Sequence, residues 1–120
     1  MYENVRAVWD SYRRAGATHL ILAQVVYSRA ELDSFRKAVP GADITVFRLR
    51  ADLDTLLARV AERERGGPGQ AIHSRQAEEL FHQMEKARVE DHLVETSGRP
   101  AYNVAAEIFD LSGWAEESAP

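Results

Sequence analysis

The sequence predicts an α/β fold, a small and mainly parallel sheet with flanking helices, on three observations. Two strand-length apolar stretches, residues 20–26 and 43–49, are each followed by a segment whose apolar residues recur at helical spacing. The first stretch, Leu20-Ile21-Leu22-Ala23-Gln24-Val25-Val26, is nearly continuous rather than alternating, as a strand covered on both faces is. Strands and helices also alternate along the chain, the order that right-handed crossovers close into a parallel sheet.

The first helix is set by Val5, Val8, Trp9 and Tyr12, which fall on one face, with Arg13 and Arg14 in the last turn and Gly16 as the cap. After the first strand, Ser28-Arg29-Ala30-Glu31 has the form of a capping box and opens a helix with Leu32, Phe35 and Val39 inward. Pro40-Gly41 ends it. The second strand, 43–49, is rich in β-branched and aromatic residues (Ile44, Thr45, Val46, Phe47). Asp52 caps a third helix with Leu53, Leu56, Leu57 and Val60 in a stripe, closing at Arg63-Glu64-Arg65. Gly66-Gly67-Pro68-Gly69 follows, and residues 66–73 are expected to be the most mobile internal segment. Ser74 caps a fourth helix with Ala77, Leu80, Phe81, Met84 and Ala87 on one side. A third strand at 92–96 leads through Ser97-Gly98 to Pro100, a favoured first helical residue, and the last helix carries Val104, Ala105, Ile108 and Phe109. One α/β domain over residues 1–112 and a flexible tail over 113–120 complete the organisation.

Composition narrows the function. At 45% hydrophobic and 28% charged the chain is an ordinary folded domain, and no apolar run nears the ~20 residues of a membrane span. The polar start Met1-Tyr2-Glu3-Asn4 is no signal peptide, so cytoplasm is the expected location. A net charge of -4 argues against general nucleic-acid binding, where phosphate neutralisation dominates. Without cysteine there is no disulfide framework, thiolate zinc site or cysteine nucleophile. His19, His73, His82 and His92 lack metal-ligand spacing, and no Gly-x-Ser-x-Gly elbow supports hydrolase chemistry. Thirteen arginines stand against two lysines, Lys37 and Lys86.

Three strings carry a family resemblance over roughly residues 4–109. Leu49-Arg50-Ala51-Asp52, running on through Leu57-Ala58-Arg59-Val60-Ala61-Glu62-Arg63, is a strand followed by a helix with two arginines four apart. Glu95-Thr96-Ser97-Gly98 before Pro100 is a strand ending in a turn, and residues 22–36, with Ser28 and Phe35-Arg36, are a strand and its helix. In this order they resemble the C-terminal two-thirds of P-loop small-molecule kinases of the gluconate, shikimate, adenylylsulfate and nucleoside-monophosphate type. The resemblance implies a partial three-layer P-loop NTPase-like fold. It implies that Arg59 and Arg63 serve the nucleotide lid and that Thr96, Ser97 and Gly98 form the adenine-side turn. It also puts Gln24 and Arg36 on the acceptor side. The parent reaction it implies is transfer of the γ-phosphoryl group of ATP, with Mg²⁺, to a small-molecule acceptor. Two departures are Glu95 for the family's usual Asp and Arg99 for its usual helix-capping Ser or Thr.

The catalytic half of that pattern is missing. Phosphoryl transfer in this family needs Gly-x-x-x-x-Gly-Lys-Ser/Thr, whose amides cradle the phosphates and whose lysine and hydroxyl serve charge and metal. Neither Lys37 nor Lys86 follows a glycine, and the loop at 66–69 has no lysine. The chain therefore holds no catalytic residue of that kind, and no cofactor is expected for it alone. The family's first strand, which lies between those corresponding to 20–26 and 43–49, is absent too. Either those strands pair directly, or another chain fills the gap, or the chain is a truncated product; truncation or a misplaced start at Met1 is the favoured expectation. The rival readings are a non-catalytic α/β interaction module, homodimeric through exposed strand edges, and an unrelated flavodoxin-like half domain.

Overall fold

The computed structural model describes residues 1–117 and is mixed α/β, with six helices and a two-stranded parallel sheet among those residues. The helices are α1 (Tyr2–Arg14), α2 (Arg29–Ala38), α3 (Leu53–Glu64), α4 (Gln70–Ala87), α5 (Ala101–Ser112) and the short α6 (Trp114–Glu117). The strands are β1 (Phe47–Arg50) and β2 (His92–Glu95), in register from Phe47 opposite His92 to Arg50 opposite Glu95. Residues 118–120 of the expected tail lie outside the described residues, and residues 114–117, assigned to that tail, form α6. No helix among the described residues is long and apolar enough to cross a membrane.

Local chemistry explains the helices. The Glu31 amide donates to Ser28 Oγ at 3.1 Å, the N-cap bond the sequence pattern demands. Leu32, Phe35 and Ala38 are the buried stripe of α2, and Phe35 and Ala38 meet Val5 and Trp9 of α1. Tyr2 adds an edge-on contact to Phe35, ring centroids 4.9 Å apart. Val8 and Tyr12, expected on the buried face of α1, are 42% and 51% exposed, because α2 covers only the Val5–Trp9 line. The expected start of α4 at Ser74 is corrected to Gln70. Gln70 and His73 amides bond back to the Gly67 and Gly69 carbonyls, so the helix begins one turn earlier and takes in residues 70–73 of the stretch expected to be mobile. Gly67 has a steric reason to be glycine: a Cβ there would sit 2.8 Å from the Glu64 carbonyl oxygen.

The strands depart most from expectation. Residues 20–26 form no strand, and among the described residues no backbone group from 20 to 27 is in a hydrogen bond. The second strand starts at Phe47 instead of residue 43, where Val46 is clasped by residue 91: its amide donates to Asp91 Oδ2 at 2.7 Å and its carbonyl accepts from the Asp91 and His92 amides. The two stretches therefore do not pair with each other. Their shared feature is a helical cover on one side, since Leu20, Val26, Ala42 and Ile44 all pack against the Val5–Trp9–Phe35–Ala38–Val39 cluster.

This leaves the N-terminal part thinly packed. The radius of gyration is 16.5 Å, against roughly 13.6 Å for a compact domain of this length. The two buried side-chain atoms without a hydrogen-bond partner among the described residues, Trp9 Nε1 and Glu31 Oε2, both lie in this part. The sheet part is better closed: Val94 is fully buried, and Ala51, Val60, Val89 and Val104 are nearly so.

Candidate functional site

The parallel pair brings two of the expected site segments together at its C-terminal end. There the Thr96 amide and hydroxyl both donate to the Arg50 carbonyl, at 2.7 and 3.0 Å, extending the ladder one step past β2. Ser97 Oγ then accepts from the Asp52 amide at 3.1 Å, tying the turn to the residue before α3. Gly98 adopts φ +67, which closes a turn in which the Arg99 amide donates to the Thr96 carbonyl at 3.2 Å. A side chain at that φ would be strained, so the turn needs its glycine. Arg99, in place of a capping hydroxyl, reaches back to the Glu95 carbonyl at 2.7 Å and across to Glu107 at 2.8 Å.

Arg59 joins this cluster. Its Nη1 donates to Thr96 Oγ1 at 3.4 Å, so the lid-type arginine and the turn, 37 residues apart, are neighbours. Arg59 and Arg63 line one face of α3 with Asp54, Thr55, Ala58 and Glu62, along an open groove of about 610 Å³. Arg63 lies 3.6 Å from Glu64. Two guanidinium groups in this groove are matched by two carboxylates, Asp54 and Glu62, so it carries no net positive field for an anion. Gln24 is exposed and lines a separate groove with Asn4, Val8 and Leu22. Arg36 pairs on the surface with Asp33 at 3.5 Å and does not line the groove of Gln24. Of the expected site residues, Arg59 is thus brought to the Thr96 turn, whereas Gln24 and Arg36 are not brought together.

The glycine loop does not fit a magnesium-bound triphosphate. Two of its three glycine amides are already engaged: Gly66 donates to Gln70 Oε1 at 2.7 Å and Gly67 to the Glu64 carbonyl at 2.8 Å. Glu64 also contacts His73 across the loop. No N–H cradle and no lysine remain there for phosphate.

One charged assembly was not anticipated. Arg48, only 6% exposed, donates to Glu85 at 2.7 Å and lies 3.7 Å from Glu90. Arg50 donates to the same Glu85 oxygen at 2.6 Å and to Glu95 at 3.1 Å, and its guanidinium lies over the Phe81 ring at 5.3 Å. The hydrogen bond from Arg50 holds the Glu85 carboxyl below the usual range, with Arg48 acting the same way and burial opposing both; Glu85 in turn raises Arg50. The signal in the sequence was Arg48-Leu49-Arg50, two arginines on one side of a strand. In the structure Arg48 is buried against α4 while Leu49 is 56% exposed. The network joins β1, β2 and α4 and holds the turn in place.

Removal of the Ser97 hydroxyl tests how much the turn depends on its side-chain bond. Ser97→Ala should cost about 1 kcal/mol in urea unfolding, the usual worth of a helix-terminus side-chain bond. A change below the error of that measurement would mean that the Thr96–Arg50 bonds alone hold the turn.

No protein-family model matches the sequence, and comparisons with curated proteins and with solved structures find no match.

Proposed function

We propose that this chain corresponds to the lid and acceptor portion of a P-loop small-molecule kinase-like fold, and that by itself it neither binds ATP nor transfers phosphate. The observation that carries this reading is the unpaired stretch at 20–26 in a chain whose β1 and β2 are properly paired. A segment this apolar, packed on the α1–α2 cluster through Leu20 and Val26 yet without hydrogen-bonded neighbours, is what omission of the family's first strand would leave. The contact of Arg59 with Thr96 adds support, because the resemblance puts both beside one nucleotide. ATP and Mg²⁺ belong to the parent reaction in this reading. In the parent, Arg59 and Arg63 would face developing phosphate charge, the role that arginine's fixed donors suit. Gln24 and Arg36 remain the acceptor-side candidates.

Calorimetric titration with Mg-ATP tests the claim about the chain alone. At millimolar nucleotide we expect dilution heat only, because the amide cradle and lysine that normally supply most phosphate contacts are missing. A saturable heat would show a nucleotide site built from other residues and would end this reading.

A further inference from the structure

The chain packs as two bodies. The hydrophobic cluster around Val5, Trp9 and Phe35 draws every member from residues 2–44, and the buried residues about the sheet, Ala51, Val60, Val89, Val94 and Val104, are not among them. α1 packs on α2, whereas α3 packs on α4, β1 on β2, and α5 on both β2 and α6; neither α1 nor α2 makes a comparable contact with a later element. Among the described residues no backbone hydrogen bond joins residues 1–45 to residues 46–117.

The chain passes from one body to the other within one residue. Ile44 packs on the N-terminal cluster, and Val46 is held by the Asp91 carboxylate at 2.7 Å. Thr45 between them is exposed and its backbone is in no hydrogen bond among the described residues. A side-chain contact bridges the bodies as well: the His19 ring lies against the Trp114 ring, centroids 4.4 Å apart. Thr18 Oγ1 and His19 Nδ1 share a hydrogen bond of 2.9 Å that orients the imidazole, and α6, which carries Trp114, is held to the sheet through α5. Each groove belongs to one body. The groove of Gln24 is lined only by residues up to 24, and that of Arg59 only by residues 54–63.

We propose that residues 1–44 move as a flap about Thr45 and that His19 against Trp114 is its latch. Bodies that share so little packing move relative to one another unless something holds them. An exposed residue free of hydrogen bonds is where such a change of backbone angle is absorbed. Opening parts the Gln24 groove from the Arg59 groove and latching fixes their spacing, with neither groove altered in itself. The motion does not rest on the kinase-like reading, which concerns what Arg59 and Thr96 bind.

Pulsed electron paramagnetic resonance between paired spin labels tests it. The chain has no cysteine, so labels attach only where cysteines are introduced. Lys37→Cys with Ala106→Cys reports between the bodies, Arg6→Cys with Lys37→Cys within the flap, and Gln83→Cys with Ala106→Cys within the sheet part; all these positions are exposed. His19→Ala should widen the between-body distance distribution to roughly twice its wild-type width and leave both within-body distributions as they are. Trp114→Ala should do the same. If Trp114→Ala also widens the distribution within the sheet part, where α6 is anchored, His19→Ala decides alone, because it removes only an exposed side chain. A between-body distribution that His19→Ala leaves unchanged overturns the proposal. So does widening within either body as large as that between them, because residues 1–44 are then not a flap moving as one.

Discussion

Replacing Glu85 with alanine should lower stability by about 2–3 kcal/mol, and the thermal midpoint by roughly 10 °C. The cost arises from what is left behind. Arg48 would remain buried with only Glu90, 3.7 Å away, in place of a carboxylate at 2.7 Å. Arg50 keeps Glu95 and is less affected. The estimate is set below the 3–5 kcal/mol of a fully broken buried pair because Arg48 retains that second partner. Against a total of ~5–15 kcal/mol for a natural domain, and a core as thin as this one, such a loss is large. The double substitution Arg48→Met with Glu85→Leu should recover most of it, since replacing both partners with apolar groups leaves no unpaired buried charge. Urea unfolding of the two variants checks both statements. If the double variant is as unstable as Glu85→Ala, packing rather than charge explains the loss.

The same pair fixes a pH dependence. Glu85 has its pKa lowered in the folded state, chiefly by the Arg50 hydrogen bond. The folded state therefore binds fewer protons at this site than the unfolded one, and its contribution is complete above the ordinary carboxylate pKa of about 4.3. It declines as the pH falls through the depressed folded value. The gap in urea midpoint between wild type and Glu85→Ala should accordingly narrow on acidification and stay constant from mildly acidic to neutral pH.

The second large effect concerns nucleotide. Fusing upstream of Met1 a strand–phosphate-loop–helix unit that carries Gly-x-x-x-x-Gly-Lys-Thr should confer Mg-ATP binding and raise the urea midpoint together. Both follow from one element: the strand supplies hydrogen bonds to the bare backbone of 20–26, and the loop after it supplies the amide cradle and lysine. Binding should go from undetectable to micromolar, a gain of about 4 kcal/mol relative to a millimolar ligand. Lys→Ala in the added loop should abolish the binding and leave the stabilisation. A fusion that gains neither would remove the kinase-like reading. A fusion that is stabilised but does not bind would remove the nucleotide role proposed for Arg59, Arg63 and the turn at Thr96.

The helices were legible in the sequence because their determinants are local. Ser28 caps α2 within one turn, and the stripes Leu32–Phe35 and Val60 repeat at a spacing that needs no distant partner. The glycine turn at Gly98 was readable for the same reason. A strand is different: its composition gives a preference, and only a hydrogen-bonded neighbour gives the strand. Residues 20–26 have the preference and no neighbour, so tertiary structure left them unpaired, whereas Phe47–Arg50 found β2 and became a strand despite two arginines. Which side of β1 is inside was likewise decided by α4, whose Glu85 makes burial of Arg48 possible and turns Leu49 outward. The sequence by itself determined helices α1 to α5 to within about a turn and the Ser28 cap of α2, but not the expected caps at Asp52, which makes no side-chain cap bond, or Ser74, which lies inside α4. The tertiary structure alone decided the pairing, the pleat and the meeting of Arg59 with Thr96, because each depends on groups tens of residues apart whose contact no local pattern encodes.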